Sequence, residues 1–451
     1  MQHQQPFDYL DKACLASASR EHGISNAPTW ELVLAGQPDP AAVRQALQWL
    51  CAAYPWCGAL AVPLDGPPET AAAWAWAWND AAPMDALFDY RDLREGPPEE
   101  LHALRETIHD NYLDLLTTPP LRLTLVWLPE GQGRLFFQQH HGLADGRGFI
   151  ELLGDFGRLL NHALAGTQPD AAQLAPVPRR PELEALNLTT WQRKWLTLGG
   201  LWEYLRGLAV SLRRPVGTLR QNASMDYTGA NRTVHVPMAP EQIEKWKQAA
   251  KRAGANLHTL LLSTLFVAQK RWNEEAGVVV GQVNMTVVAE TRARDGSFRS
   301  FANHLAWLIP QVDLARLTTV AQVIPAAQQQ LAEQSARRAH IKRYLLERGI
   351  VLGLKMDALR KMLFGSKHTV VNLNFSNVLA IPIARLQGPG WRVTDVRVTT
   401  PTMPRTAVVL TVTSYDGAAT LNFNFKASIC KRHEIERLAA LFSEELERFA
   451  A

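Results

Sequence analysis

The chain has 451 residues, 47% of them apolar, enough for about two domain-sized cores and too many for a disordered protein. Lys and Arg number 47 against 43 Asp and Glu, a balance of +4 without a dense basic run, which argues against nucleic acid as a partner and leaves room for a small acidic ligand or carrier. Cys14, Cys51, Cys57 and Cys430 form no CxxC pair, the N-terminus MQHQQPFDYLDKA has no basic leader region, and no apolar run reaches spanning length, so a soluble, cytoplasmic protein without a disulfide framework is expected.

In chain order, Val43, Ala46, Leu47 and Leu50 recur at helical spacing across residues 40–53, with Asp39 as the cap. Residues 121–129 and 134–141 read as strands separated by EGQG, and Phe149, Leu152, Leu153, Phe156, Leu159 and Leu160 form a helical stripe beyond them. Residues 165–183, rich in Ala, Pro, Gln and Asp, and the breaker RPVG at 214–217 place the inter-lobe connection across 165–217. The second half predicts helices over 240–253, 257–274 and 318–346. Its strands are expected near 276–284, 370–376, 391–399, 406–414 and 419–425, before a last amphipathic helix. Interleaved helices and strands make this an α/β chain.

Within the linker, Trp191, Trp195, Leu198, Trp202, Leu205, Ala209 and Leu212 follow one helical seam accompanied by Arg193, Lys194, Arg206, Arg213 and Arg214. A basic amphipathic helix with tryptophans suits a membrane interface or a partner, which makes 190–214 a candidate peripheral membrane contact. The plainer expectation is a linker helix lying against its own lobe, bent at Gly199 and Gly200.

The stretch LFFQQHHGLADGRGFIELL, residues 135–153, carries the chemistry. Strand alternation sends Phe137, Gln139 and His141 to one face and Phe136, Gln138 and His140 to the other, so the two imidazoles do not share a metal, and no Cys or Glu stands nearby at ligand spacing. Gly142 and Gly146 are expected at positive φ in a tight turn, with Asp145 placed to brace it. A histidine on a strand is more often a satisfied core residue than a catalyst. A strand-end imidazole on a braced loop, with an unperturbed pKa of about 6.5, nevertheless suits general-base work.

HHGLADG resembles the HHxxxDG signature of the chloramphenicol-acetyltransferase-like superfamily, which includes condensation domains of nonribosomal peptide synthetases, wax ester synthases and polyketide-associated acyltransferases. QPDPAAVRQALQWLCAAYPWCGAL is similar to the family's opening helix, with Cys57 and Gly58 where Leu-Arg is usual. LDLLTTPPLRLTLVWL resembles the strand before the signature, and GQVNMTVVAETRARDGSFRSFANHLAWLIPQVDL the later segment in which an arginine precedes G-x-F-x-N-x-L, here with Phe301, Asn303 and Leu305. FSNVLAIP, residues 375–382, resembles the SNV segment of stand-alone acyltransferases.

The resemblance implies a two-lobed pseudo-dimer with an active-site tunnel between the lobes: residues 1–164 carrying HHGLADG, a linker over 165–217, and a second lobe over 218–451. It implies that His141 faces the tunnel as general base, with His140 and Gly146 supporting the loop. Asp145 would pair with Arg292 or Arg294, the reading leaning to Arg294. Ser376, Asn377 and Asn303 are candidates for substrate or oxyanion contacts. The implied reaction moves an acyl group from a phosphopantetheine thioester, on an acyl carrier protein or CoA, to an acceptor hydroxyl. Amide formation by a stand-alone condensation enzyme is the alternative. No tightly bound cofactor and no metal are implied, and no G-x-S-x-G elbow argues for a serine nucleophile.

Overall fold

The computed structural model describes residues 3–21, 24–170, 174, 176–213, 229–279, 281–292, 298–364, 372–378, 381, 383–402 and 406–451. Two six-stranded sheets carry the two lobes. The first runs Gln387–Gly388, Trp391–Thr399, Thr29–Ala35, Gln132–Gln139, Leu121–Trp127, Phe88–Asp92. All neighbours are antiparallel except the last pair. Alternation along Gln132–Gln139 divides its apolar residues. Leu135 and Phe137 join the core formed with the helices Pro40–Ala53 and Gly146–Leu164, whereas Phe136 packs with Val126 and Ile108 under the helix Pro98–Asp110.

The second sheet runs Leu305–Leu308, Thr286–Glu290, Asn372–Asn377, Thr406–Tyr415, Ala418–Lys426, Asn231–Met238. The helices Pro240–Arg252, Leu257–Glu274, Val320–Ala336 and Arg432–Ala450 supply its core partners, among them Trp246, Phe266, Val323 and Phe442. A third cluster joins the two halves of the sequence. The helix Tyr9–Ser17 and the small sheet of His3–Pro6, Trp74–Trp78 and Leu60–Pro63 bury Leu10, Leu15 and Trp76 with Tyr344, Leu345 and Met356 of the helices Ala339–Gly353 and Met356–Phe364.

Two strands of the first sheet, Gln387–Gly388 and Trp391–Thr399, come from the second half of the chain. Trp391–Thr399 pairs with Thr29–Ala35, with a register shift between Val393 and Asp395 that lets Val393, Val396 and Val398 all join the first lobe's core. The helix expected over 318–346 is two helices, Val320–Ala336 and Ala339–Gly353, separated at Arg338, whose φ of 52° is left-handed. Among the described residues of the strand expected at 276–284, Gln282–Asn284 forms the strand. The linker helix Thr190–Arg213 is one element that runs through Gly199 and Gly200. These glycines serve close packing: a Cβ at Gly200 would lie 2.5 Å from the carbonyl oxygen of Lys342 on Ala339–Gly353. The tryptophan seam is not the face that packs, since Trp191, Trp195 and Trp202 are all exposed.

Candidate active site

The histidine pair stands where the strand Gln132–Gln139 ends, and backbone bonds carry the ladder one step further on both sides. The His140 N–H donates to the Pro120 carbonyl at 2.7 Å and the His141 N–H to the Asn26 carbonyl at 2.8 Å. The two residues are thereby fixed with opposite orientations. His140 is fully buried, and its Nδ1 accepts the Gly142 N–H at 3.1 Å, which puts the proton of the neutral ring on Nε2. Burial, and after it the charge of His141, push the His140 pKa down to about 3. His141 is half-buried. Its Nδ1 is enclosed without a hydrogen-bond partner, and among the described residues no side chain bonds to its ring.

Gly142 and Gly146, expected at positive φ, have ordinary backbone conformations. The turn needs no left-handed residue because Asp145, at φ −80° and ψ 178°, enters the helix Gly146–Leu164 directly from extended backbone as its N-cap. A different glycine is sterically required. A Cβ on Gly148 would stand 2.5 Å from the Phe301 carbonyl oxygen, so the motif helix and the 300–304 segment can meet only without a side chain there.

Asp145 unites the two halves of the site. Its Oδ1 accepts from the Gly148 N–H at 2.9 Å and its Oδ2 from the His304 N–H at 2.8 Å. Arg292 adds a bidentate pair, Nη1 to Oδ2 at 2.8 Å and Nη2 to Oδ1 at 3.1 Å. Burial alone would raise this carboxyl. The Arg292 charge and the four donors outweigh it and hold the group below the usual aspartate value. The partner is therefore Arg292; Arg294, to which the sequence leans, lies outside the described residues. Arg292 also donates to the carbonyls of Ser300 and Ala302 and to Glu290, which in turn pairs with Arg147.

Asn303, on the segment that Arg292 grips, donates from Nδ2 to the His141 carbonyl at 2.8 Å and leaves its Oδ1 buried without a partner. His140, His141, Asp145, Gly146, Arg292 and Asn303 thus converge. Ser376 and Asn377 end the strand Asn372–Asn377, and among the described residues neither bonds to the His141 loop. The adjoining Val378 reaches that loop, lying 3.7 Å from the position of a Gly146 Cβ.

Two further groups belong to the site and have no signature in the sequence. Arg179, from the linker, donates to the Leu143 carbonyl at 2.8 Å, pairs with the buried Asp11, and lies over the Trp76 ring. The backbone around Arg179 also pairs with the opposite segment, Phe301 N–H to the Pro178 carbonyl and Arg180 N–H to Ser300 Oγ. His304 is fully buried against Phe298, and its pKa is pushed down to about 3, first by burial and then by the Arg292 charge. Arg179 sits in a Pro-rich run and His304 in a strand approach, so only tertiary packing reveals them. Three buried polar atoms without a hydrogen-bond partner lie together here: His140 Nε2, His141 Nδ1 and Asn303 Oδ1.

Residues 302–449 match the WS/DGAT C-terminal domain. Among solved structures, the chain is similar to the trichothecene 15-O-acetyltransferase TRI3 of Fusarium sporotrichioides, with a TM-score of 0.76 and 11% identity over 99% of this chain and 96% of that one. It is also similar to the first condensation domain of the calcium-dependent antibiotic synthetase, with a TM-score of 0.75 and 14% identity over 100% and 96%. Curated relatives include phosphinothricin tripeptide synthetase PhsC of Streptomyces viridochromogenes, 32% identical over 216 residues, 45% of this chain and 18% of that protein. Another is a linear gramicidin synthase of Brevibacillus parabrevis, 26% identical over 200 residues, 42% of this chain and 2% of that one. The chain therefore spans only a small part of the curated relatives it matches. The likeness to solved structures extends over nearly the whole chain and shows the two-lobed chloramphenicol-acetyltransferase-like fold.

Proposed function

We propose that this protein transfers an acyl group from a phosphopantetheine thioester, carried on an acyl carrier protein or CoA, to an acceptor hydroxyl, with His141 as general base. The observation that carries the reading is the way the His141 backbone is held while its ring is left without a protein partner. Asn26 and Asn303 bond its N–H and carbonyl, and the Asp145–Arg292 pair fixes the turn that follows. A base must be positioned and yet uncommitted, and this imidazole is both.

In the proposed reaction the acceptor oxygen attacks the thioester carbonyl as the His141 ring takes its proton. The new C–O bond forms, the tetrahedral adduct expels sulfur as the C–S bond breaks, and the imidazolium returns the proton to the thiolate. Ser376, Asn377 and the Asn303 amide are the proposed polar contacts for substrate or for the developing oxyanion. No acyl group resides on the protein at any step, and no tightly bound cofactor takes part.

Transfer to oxygen is favoured by the WS/DGAT match over 302–449 and by the fold likeness to an O-acetyltransferase. Amide formation is the second reading, favoured by the peptide synthetases among the curated relatives. The lobe bounds 1–164, 165–217 and 218–451 and a cytoplasmic setting belong to the same proposal. Its test offers acyl-CoA and acyl-carrier thioesters with hydroxyl and amine acceptors in parallel and identifies products by mass. Esters support the first reading and amides alone move the protein to the second. A stoichiometric, stable mass gain on the protein with thioester alone overturns direct transfer.

A further inference from the structure

The linker helix Thr190–Arg213 presents a surface that the proposed reaction does not use. Its outer seam carries Trp191, Trp195, Leu198, Trp202 and Leu205 at 66, 60, 58, 69 and 50% exposure. Part of the opposite side packs on the protein, while Tyr204 there is 64% exposed. Gly199 and Gly200 bring the helix against Lys342, Leu196 packs into the cluster that includes Tyr344 and Leu345, and Glu203 pairs with Lys342 Nζ at 2.6 Å. The packing that holds the helix thus also turns its indoles outward.

At 3.6 residues per turn, Lys194 and Arg206 fall on the two flanks of the tryptophan seam. Glu203 is the one acidic residue between Thr190 and Arg213, and it is spent on the packed side. The outward surface is therefore apolar along its middle and positive along both edges. An apolar patch of this kind on a folded protein marks an interaction site.

We propose that this face seats in the interfacial layer of an anionic lipid bilayer, with the helix axis parallel to the membrane plane. Three features select a bilayer over a protein partner. The surface is the convex side of a single helix and not a groove, so it offers no pocket in which a partner's anchor residue could be enclosed. Its aromatic residues are indoles, which combine a broad apolar ring with an N–H that prefers the headgroup level. The flanking lysine and arginine can lay their methylenes along the apolar boundary while their charges meet lipid phosphates. Among the described residues no helix is long and apolar enough to cross a membrane, so the contact is peripheral. The inference does not depend on the acyl-transfer reading.

The test is co-sedimentation of the full chain with phosphatidylcholine vesicles, with and without phosphatidylglycerol. The expected result is pelleting that requires phosphatidylglycerol and falls as salt is raised. The combined variant Trp191→Ser, Trp195→Ser, Trp202→Ser should stay in the supernatant with an unchanged melting temperature, because these side chains pack against little of the protein. Lys194→Gln and Arg206→Gln keep every apolar residue, and each should weaken partitioning about five-fold. No pelleting on either vesicle, or pelleting that the tryptophan variant retains, overturns the proposal. So does a dimer in solution that the tryptophan variant converts to monomer, or binding of a purified acidic carrier protein through these tryptophans in the absence of vesicle binding.

Discussion

Arg292 and Asp145, 147 residues apart in sequence, form a two-bonded pair in which both side chains are 1% exposed. Asp145 caps the helix that follows the histidine loop, and Arg292 grips the carbonyls of Ser300 and Ala302 from the other half of the chain. One ion pair therefore sets the distance between the loop carrying His141 and the segment carrying Asn303. Removing either partner leaves the other charge buried, at a cost of about 3–5 kcal/mol.

The first prediction follows from that shared role. Asp145→Asn and Arg292→Gln should each lower both stability and turnover, and the double variant should be little worse than the poorer single one. A cycle of urea unfolding and activity measurements reads the coupling. Additive losses would show that the two side chains act separately.

His141→Ala should leave a folded protein whose turnover is lower by about 10² to 10⁴. His140→Ala should act chiefly on stability, because His140 is buried and tied through Nδ1 to the Gly142 N–H. Melting temperature and steady-state turnover of the two variants separate the roles. Loss of turnover in a well-folded His140→Ala, with His141→Ala active, would exchange them.

Stability should begin to fall on mild acidification. Burial pushes His109, His140 and His304 down to about 3 from an ordinary value of 6.5. Each is neutral in the fold and gains a proton on unfolding, so its contribution is complete above pH 6.5 and is lost as pH falls toward 3. Each such group adds up to about 1.4 kcal/mol per pH unit to the slope. Asp145, held below its ordinary 3.8, begins to lose its contribution as pH falls below 3.8. Urea unfolding at pH 7, 6, 5 and 4 should show the decline, and His109→Asn should make it shallower by one proton's share. A wild-type stability that is flat over this range contradicts the assignment.

Gly148→Ala should damage the site without touching a reacting group. Its new methyl would stand 2.5 Å from the Phe301 carbonyl oxygen, so the motif helix or the 300–304 segment must move. Because Asn303 and the Asp145–Arg292 pair bridge the same gap, turnover should fall by at least tenfold while the secondary-structure content stays the same. Circular dichroism alongside turnover checks this. Wild-type activity in Gly148→Ala would mean that the approach can open freely.

The sequence by itself determined the local elements and the candidate base. Helical spacing located Pro40–Ala53 with its Asp39 cap and Leu257–Glu274, and alternation placed the two histidines on opposite faces at a strand end. These are short-range properties: a period and a cap depend on residues a few positions apart. Only the tertiary structure decided that Trp391–Thr399 joins the first lobe's sheet, that Arg292 meets Asp145, and that Arg179 and His304 enclose the histidine loop. It also decided that the linker helix turns its tryptophans outward, because the side that carries Gly199 and Gly200 can approach the Lys342 backbone more closely than the tryptophan side could. Both sides of the helix have the same periodicity in the sequence, and the choice between them depends on a surface supplied by residues more than a hundred positions away. Which alternative is adopted is settled by steric fit and by the pairing of buried charge, and neither quantity exists until the distant segments meet.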